Sequence, residues 1–483
     1  MKNKWSLVIH EATETSVNLW IGTLFHDLRK PKEVRVTLFE GTNQIAEQII
    51  LSNDWLRPFS QIKSQRFYKL LSFSNLEAGR QYKVSVAERF VDEGDEQLIS
   101  LTNGLFWTLP SSVNDLAEGF TLAVGSCYYE EYDGGQVSTS YETLSRSPFE
   151  KFKPHIKFLT GDQVYLDIGW DSLSIIPKEI RDRIANDYAL HWQALRGMHR
   201  NGGTWFVADD HEFWNNYPFV QGFSPFIQAL RLRKVKNAWV KTAKDGVLNV
   251  QRTAPVKSFS IGNDVSFCVV DLRAFRSKSR ILPEKDMQQL CEWLSSLSSP
   301  GILVLSQPLM EEKGDDGDKN FVSYENDYKR VIKAINDCAH DVLVLSGDVH
   351  HGRVSTVNFA GRDNKLHEVV SSPLSNLSGI SAIATSYITK KSRLKNFPPY
   401  PIDGVSTTPI EYGDPWRITS TQQLFDFRYI KRRTKEHFLT LNLKKNESGA
   451  LQVEIRAWLV REQDKKTGLP KQDWKKPVIF NLK

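Results

Sequence analysis

Six short apolar runs in this sequence end on side chains able to do chemistry. They release GSCYY (Gly125–Tyr129), GDQVY (Gly161–Tyr165), ADDHEFWNN (Ala208–Asn216), DLRAFR (Asp271–Arg276), SQP (Ser306–Pro308) and SGDVHHG (Ser346–Gly352). Asp162, Asp209, Asp210 and Asp348 supply hard oxygen donors, Asn215 and Asn216 supply amides, and His211, His350 and His351 supply imidazoles. Carboxylates gathered this way repel one another unless a cation neutralises them. Cys127 and Tyr165 add a thiol and a phenol, which become ligands only where a strongly polarising metal depresses their pKa; ferric iron suits that better than magnesium. No GxxxxGK[ST], GxGxxG or GxSxG is present, so nucleotide-loop and serine-hydrolase chemistry lose support. HExxH and HxHxDH are absent as well, which removes the usual metallopeptidase and lactamase patterns. Metal-assisted hydrolysis remains, with a metal-bound hydroxide as the nucleophile.

Positioning these residues requires a particular architecture. FTLAVGS, HIKFLTGD, TWFVADD, VSFCVVDLR, GILVLSQP and DVLVLSGD are continuous rather than alternating apolar runs. Helical patterns lie between them, over Glu142–Lys151, Lys178–Met198, Phe226–Ala243, Glu284–Leu297 and Tyr324–Ala339. Strands apolar on both faces and separated by helices predict an α/β fold with its sheets covered, and ligands in such folds bind beyond the carboxyl ends of the strands. The first ~110 residues instead alternate polar and apolar positions, as at Ser16–Gly22, Glu33–Glu40 and Tyr82–Ala87. There NLEAGRQYKVSVAERF followed by GLFWTLP resembles the end of a fibronectin type III or immunoglobulin-like sandwich, with Tyr82 as its tyrosine corner. The boundaries expected are 1–112 for this β-sandwich and 113–483 for the catalytic domain, with a polar linker at Ser111–Gly119. The chain ends in two strands around Gly449, and the unpatterned stretch 379–424 reads as a lid or loop.

The ordered set GSC, GDxxY, DDHExxNN, DxRxxR and SGDVH resembles the alkaline phosphatase D (PhoD-like) family of metallophosphatases, related to the purple acid phosphatases. The resemblance runs from Phe120 to the C-terminus. It implies an αββα sandwich, a ferric ion with calcium (manganese, zinc or magnesium being alternatives in the second site), and hydrolysis of phosphomonoesters, phosphodiesters or both. Carried over by motif, Cys127, Asp162, Tyr165 and Asp348 would hold the iron, with Asp162 bridging to the second metal. Asp210, Asn216 and His350 are candidates for the second or third site, Asp210 being favoured over Asp209. His211 would protonate the leaving oxygen or steady the phosphate, and Arg273, a planar fork of five donors, would hold phosphoryl oxygens.

Composition bounds the alternatives. The 483 residues are 25% charged and 40% hydrophobic with 4 cysteines, none in CxxC spacing, so disorder, a disulfide scaffold and a zinc finger are excluded. A net charge of +6, with short basic clusters at Arg231–Lys236 and Lys431–Arg433, argues against nucleic-acid binding and for a solvated face or an anionic substrate. No run is long enough to span a membrane and no signal peptide or twin-arginine signal is seen, so a cytoplasmic enzyme is expected. The rival reading is a degenerate scaffold that binds an unidentified protein partner through the β-sandwich; no expected ligand is replaced by an inert residue, which argues against it.

Overall fold

All six apolar runs are strands, and they divide into two parallel triplets. The computed structural model describes residues 3–92, 95–131, 133–222, 224–314, 319–376, 394, 396–413 and 436–483. Phe120–Gly125, Ile156–Thr160 and Gly203–Val207 run side by side in one seven-stranded sheet. Val265–Val270, Gly301–Leu305 and Val342–Ser346 do the same in a second seven-stranded sheet. His437–Lys445 extends the first sheet antiparallel to Phe120–Gly125, and Leu451–Gln463 pairs antiparallel with His437–Lys445 in turn, with Pro470–Gln472 and Val478–Leu482 paired on Leu451–Gln463. Gly449, at φ +81°, lies in the turn between them, a backbone angle that favours glycine.

The two sheets pack face to face, with Val124, Phe158 and Trp205 meeting Phe267, Val304 and Leu345 in one apolar cluster. Helices Pro177–Ala194 and Arg233–Asp245 cover the outer face of the first sheet, and Glu284–Ser295 and Glu325–Asp337 that of the second. Every central strand is therefore buried on both faces, which is why its sequence is a continuous apolar run. The expected αββα sandwich is the one found. Some helix limits differ from the sequence reading. The helix expected at Glu142–Lys151 is Gln136–Ser145, entered from Gly135 and ended ahead of Pro148, a residue that restricts the backbone before it. Phe226–Ala243 divides into Pro225–Leu230 and Arg233–Asp245.

Ahead of these sheets stand two antiparallel ones, of three strands (Ser6–Ala12, Val17–Thr23, Phe67–Phe73) and four (Asn43–Leu51, Glu33–Glu40, Gln81–Asp92, Asp95–Trp107). Tyr82 is buried, and its hydroxyl accepts from the Glu77 N–H at 3.0 Å, the bond that defines a tyrosine corner. This sandwich is not loosely tethered. Val8, Trp20, Phe59 and Tyr68 share an apolar cluster with Tyr188, Trp192 and Val247 of the first sheet's helices. The linker is pinned too: Ser112 caps a single turn at Val113–Asp115, and both Ser112 Oγ and the Val113 N–H donate to Asp264 (2.6 and 2.9 Å). Most of the 379–424 stretch and the basic cluster at 431–433 lie outside the described residues.

Candidate metal centre

The carboxyl ends of the two triplets are stitched into one loop cluster. Cys127 and Tyr128 donate backbone bonds to the carbonyls of Gly161 and Asp162 (3.1 and 2.8 Å), and Gly347 donates to Ser306 (3.1 Å). Asp271 Oδ2, from the second sheet, accepts from the Ala208 N–H of the first at 3.0 Å. Two glycines make the approach close enough. A Cβ on Gly161, at φ +101°, would meet Asp209 Cβ at 2.6 Å, and one on Gly347 would collide with Ser126.

At this junction donor atoms of Asp162, Asp209, Asp210 and Asp348 lie within 4.8 Å of one another, as do those of Asp162, Asp210 and His211. The Cys127 thiol reaches Asp162 Oδ2 at 3.5 Å and the Asp348 carbonyl at 3.4 Å. Tyr165 is buried, with its hydroxyl 3.4 Å from His350 Nε2 and its ring stacked on that of His211 at 4.3 Å. Asp210 Oδ2 accepts from the Asn216 N–H at 2.7 Å, and the Asn216 side chain in turn accepts from the Lys319 N–H at 2.9 Å. Among the described residues 7 non-glycine positions have positive φ, and Cys127, Asp162, Asn216, Asp348 and His350 are 5 of them. Such strain costs of order 1–3 kcal/mol per residue and gathers at functional sites. The structure thus brings all seven expected metal-binding residues, and His211, to one place.

A second layer holds them, and sequence reasoning missed most of it. Glu212 is fully buried. Its Oε2 accepts from the N–H groups of Asp162 and Asp209 (3.0 and 2.8 Å), and its Oε1 from the Gln163 N–H and Gln251 Nε2 (2.6 and 2.9 Å). One carboxylate therefore clamps the GDQVY loop to the DDHE turn. Asp167 accepts from or shares a proton with His211 Nδ1 at 2.7 Å and accepts the Asn215 N–H at 2.8 Å, fixing the imidazole. Gln307 Nε2 donates to Asp348 Oδ2 at 3.2 Å, and His350 Nδ1 meets Asn376 Oδ1 at 2.7 Å.

Arg273 has partners other than the phosphoryl oxygens expected of it. It is fully buried, with Nε donating to Asp209 Oδ1 at 2.7 Å, Nη1 to the Tyr217 carbonyl at 3.0 Å, and Nη2 standing 3.9 Å from Asp210. The fork grips the carboxylate wall from behind. Asp209, set aside in favour of Asp210 on the sequence, belongs to the same carboxylate cluster, and its buried Oδ2 has no hydrogen-bond partner among the described residues.

The electrostatics ask for a cation. Burial, reinforced by Asp210 and Asp209, pushes the Asp162 carboxyl well above its usual range despite His211 nearby. Burial also raises the Cys127 thiol and the Tyr165 phenol, and the neighbouring carboxylates add to it. Asp210 is held low, because Arg273 and His211 outweigh its burial. His211 is raised well above its ordinary value, burial being overcome by Asp167, Asp162 and Asp210. Hard carboxylates, a thiol and a phenol sharing one dry cluster, with an orphaned carboxylate oxygen among them, form a donor set that fits a strongly polarising metal ion.

No family model matches the chain, and no curated protein matches it. Solved structures do. The structure of PhoD superposes on 99% of this chain and 90% of its own, with a TM-score of 0.62 and 15% identity. Purple acid phosphatase PPD1 from yellow lupin (Lupinus luteus) seeds covers 98% of this chain and 74% of its own, with a TM-score of 0.56 and 9% identity. The chain has the metallophosphatase fold that PhoD and purple acid phosphatase share, with the β-sandwich included in the span that superposes.

Proposed function

We propose that this chain is a PhoD-like metal-dependent phosphoesterase, acting on phosphomonoesters, phosphodiesters or both. The observation that carries the reading is the convergence of Asp162, Asp209, Asp210, His211 and Asp348 at the carboxyl strand ends of a phosphatase fold. Cys127, Asp162, Tyr165 and Asp348 would hold a ferric ion, and Asp210, Asn216 and His350 a second cation, calcium in this reading. When bound, such ions acidify water and neutralise the charge that develops on phosphoryl oxygens.

The chain's own residues do the rest. Because Asp167 engages Nδ1 of His211, Nε2 is the nitrogen left to give a proton to the departing alkoxide. The carboxylates beside it keep the imidazolium charged in a dry site. Arg273 acts as a positioning residue: it fixes Asp209 directly and balances the charge on Asp210. Glu212 fixes the loop carrying Asp162. Packing of Tyr165 against His211 limits the imidazole to one orientation.

The test compares hydrolysis of p-nitrophenyl phosphate and bis-p-nitrophenyl phosphate by metal-supplied protein and by Asp162→Asn. Activity on either substrate that disappears in the variant and on chelation supports the reading, and the preferred substrate separates monoesterase from diesterase. Equal turnover by a folded Asp162→Asn protein overturns it.

A further inference from the structure

Helices Pro177–Ala194 and Arg233–Asp245 lie side by side and run the same way. The Arg183 guanidinium sits over the Trp239 ring at 5.6 Å, and five residues farther along the first helix Tyr188 packs on Gly246. Their N-terminal ends therefore sit together. That end is also the site end. Ile156–Thr160 and Gly203–Val207 are adjacent parallel strands, so the helix connecting them starts beside their carboxyl ends, where the metal centre is.

This rim combines two features that water disfavours and an anionic bilayer accepts. Ile175, Ile176 and Leu232, just ahead of the two helices, are 50%, 50% and 45% exposed. Beside them, Arg181, Lys234, Lys241 and Lys244 line an open groove of about 610 Å³. Those four cations make no ion pair among the described residues, whereas the groove's acid, Asp245, accepts from the N–H and Oγ of Ser60. Glu179, on the first turn of Pro177–Ala194, is bonded by Ser174 Oγ at 2.7 Å. Cations without counter-ions next to solvated aliphatic side chains match a lipid surface, because headgroups take the charge and the acyl boundary takes the side chains. Nucleic acid would use the cations and leave the isoleucines wet. Among the described residues no helix is long and apolar enough to cross a membrane.

We propose that the rim formed by Ile175, Ile176, Leu232 and the basic groove docks this protein on an anionic phospholipid surface, with the metal centre on the side facing the bilayer. Phosphoesters displayed in the headgroup layer then become its accessible substrates. That corollary rests on the phosphoesterase reading; the docking does not.

The experiment is co-sedimentation of the full chain with vesicles of phosphatidylcholine alone or with about 30% phosphatidylserine, a surface charge of the kind basic clusters sense. The protein is expected to sediment with the anionic vesicles, to be released by high salt, and to stay in solution with phosphatidylcholine alone. Lys234→Gln with Lys241→Gln should weaken binding roughly 25-fold, about fivefold per cation. Ile175→Ser with Ile176→Ser should weaken it about tenfold. Both variants should keep the parent melting temperature. Absence of sedimentation with anionic vesicles overturns the proposal, as does undiminished binding by either folded variant. Binding to duplex DNA instead, lost with the lysines and indifferent to the isoleucines, assigns the groove to nucleic acid and overturns it equally. Because vesicle binding is read without turnover, this result and the esterase assay stand or fall separately.

Discussion

Exchanging Glu212 for Gln alters little but one atom, and the structure says which consequence dominates. Oε2 accepts from two backbone N–H groups, and Oε1 from one backbone N–H and one amide. Whichever oxygen becomes the amide nitrogen, two buried donors then face a donor. Each orphaned donor costs about 1–3 kcal/mol, so the pair costs about 2–6 kcal/mol. Removing the charge acts the other way. Burial pushes the Glu212 carboxyl up from 4.5 to about 7, and above neutral pH relief from that penalty returns about 3 kcal/mol. The net stability change is therefore within about 3 kcal/mol, small enough for the variant to fold. Nothing offsets the loss of position: one of the two donor pairs, Asp162 with Asp209 or Gln163 with Gln251, loses its shared anchor. Substitutions behind metal ligands typically lower metal affinity or activity about 10–100-fold. Metal titration of Glu212→Gln followed by calorimetry, with turnover measured at saturating metal, should show a loss of that size at a melting temperature close to the parent's. A variant with parental metal affinity and turnover would refute the clamp.

Other perturbations separate stability from chemistry. Asp162→Asn should raise the melting temperature of metal-free protein, since burial and the adjacent carboxylates disfavour the charge it removes, while turnover falls by orders of magnitude; a lower melting temperature would mean the carboxylates do not repel. Protein loaded with ferric iron should show a visible charge-transfer band that Tyr165→Phe abolishes, and iron-loaded parent protein without the band removes Tyr165 as a ligand. Acid should unfold the chain early. Burial lowers His10 to about 3 and His155, His191 and His367 to about 4, so the unfolded chain binds the extra protons; the stability from these groups is complete above pH 6.5 and is lost as pH falls toward 4. By pH 5.5 the loss from the four together is roughly 5 kcal/mol, and thermal melts at pH 7.5 and 5.5 that coincide would show these histidines to be hydrated.

Whatever depends on a residue's own strand was legible in the sequence. Continuous apolar runs disclose strands covered on both faces, and the side chain just past a strand end is placed at the crevice by topology alone, as Cys127, Asp162, Asp210 and Asp348 are. Tyr82 was readable because its bond partner, Glu77, is five residues away. What was not legible depends on partners distant in sequence. Glu212 is one of 57 acidic residues, and its role exists only because the loop at Asp162, 50 residues earlier, folds onto it. Asp167 lies in plain sight five residues after Asp162, but its meaning comes from His211, 44 residues on. Arg273 has the chemistry of a phosphate fork, and its burial against Asp209, 64 residues away, is a contact that no local pattern announces. The division of the six runs between two sheets was equally hidden, since both triplets have the same texture.

Energetics argue against the degenerate-scaffold alternative. Four carboxylates with donor atoms within 4.8 Å, three of them fully buried, raise the free energy of the folded state, and so does positive φ at five of the residues around them. A scaffold working through its β-sandwich gains nothing from either. Any of these acids could become Asn, relieving repulsion while leaving the backbone bonds of Glu212 in place. The layer behind them points the same way. Glu212, Asp167, Gln307 and Asn376 bond to backbone or side-chain atoms of the cluster and hold it in one arrangement, so that the repulsion cannot relax by loops moving apart. Mutually repelling groups held rigidly together, at the carboxyl ends of the parallel strands of a metallophosphatase fold, form the arrangement that a bound cation would neutralise.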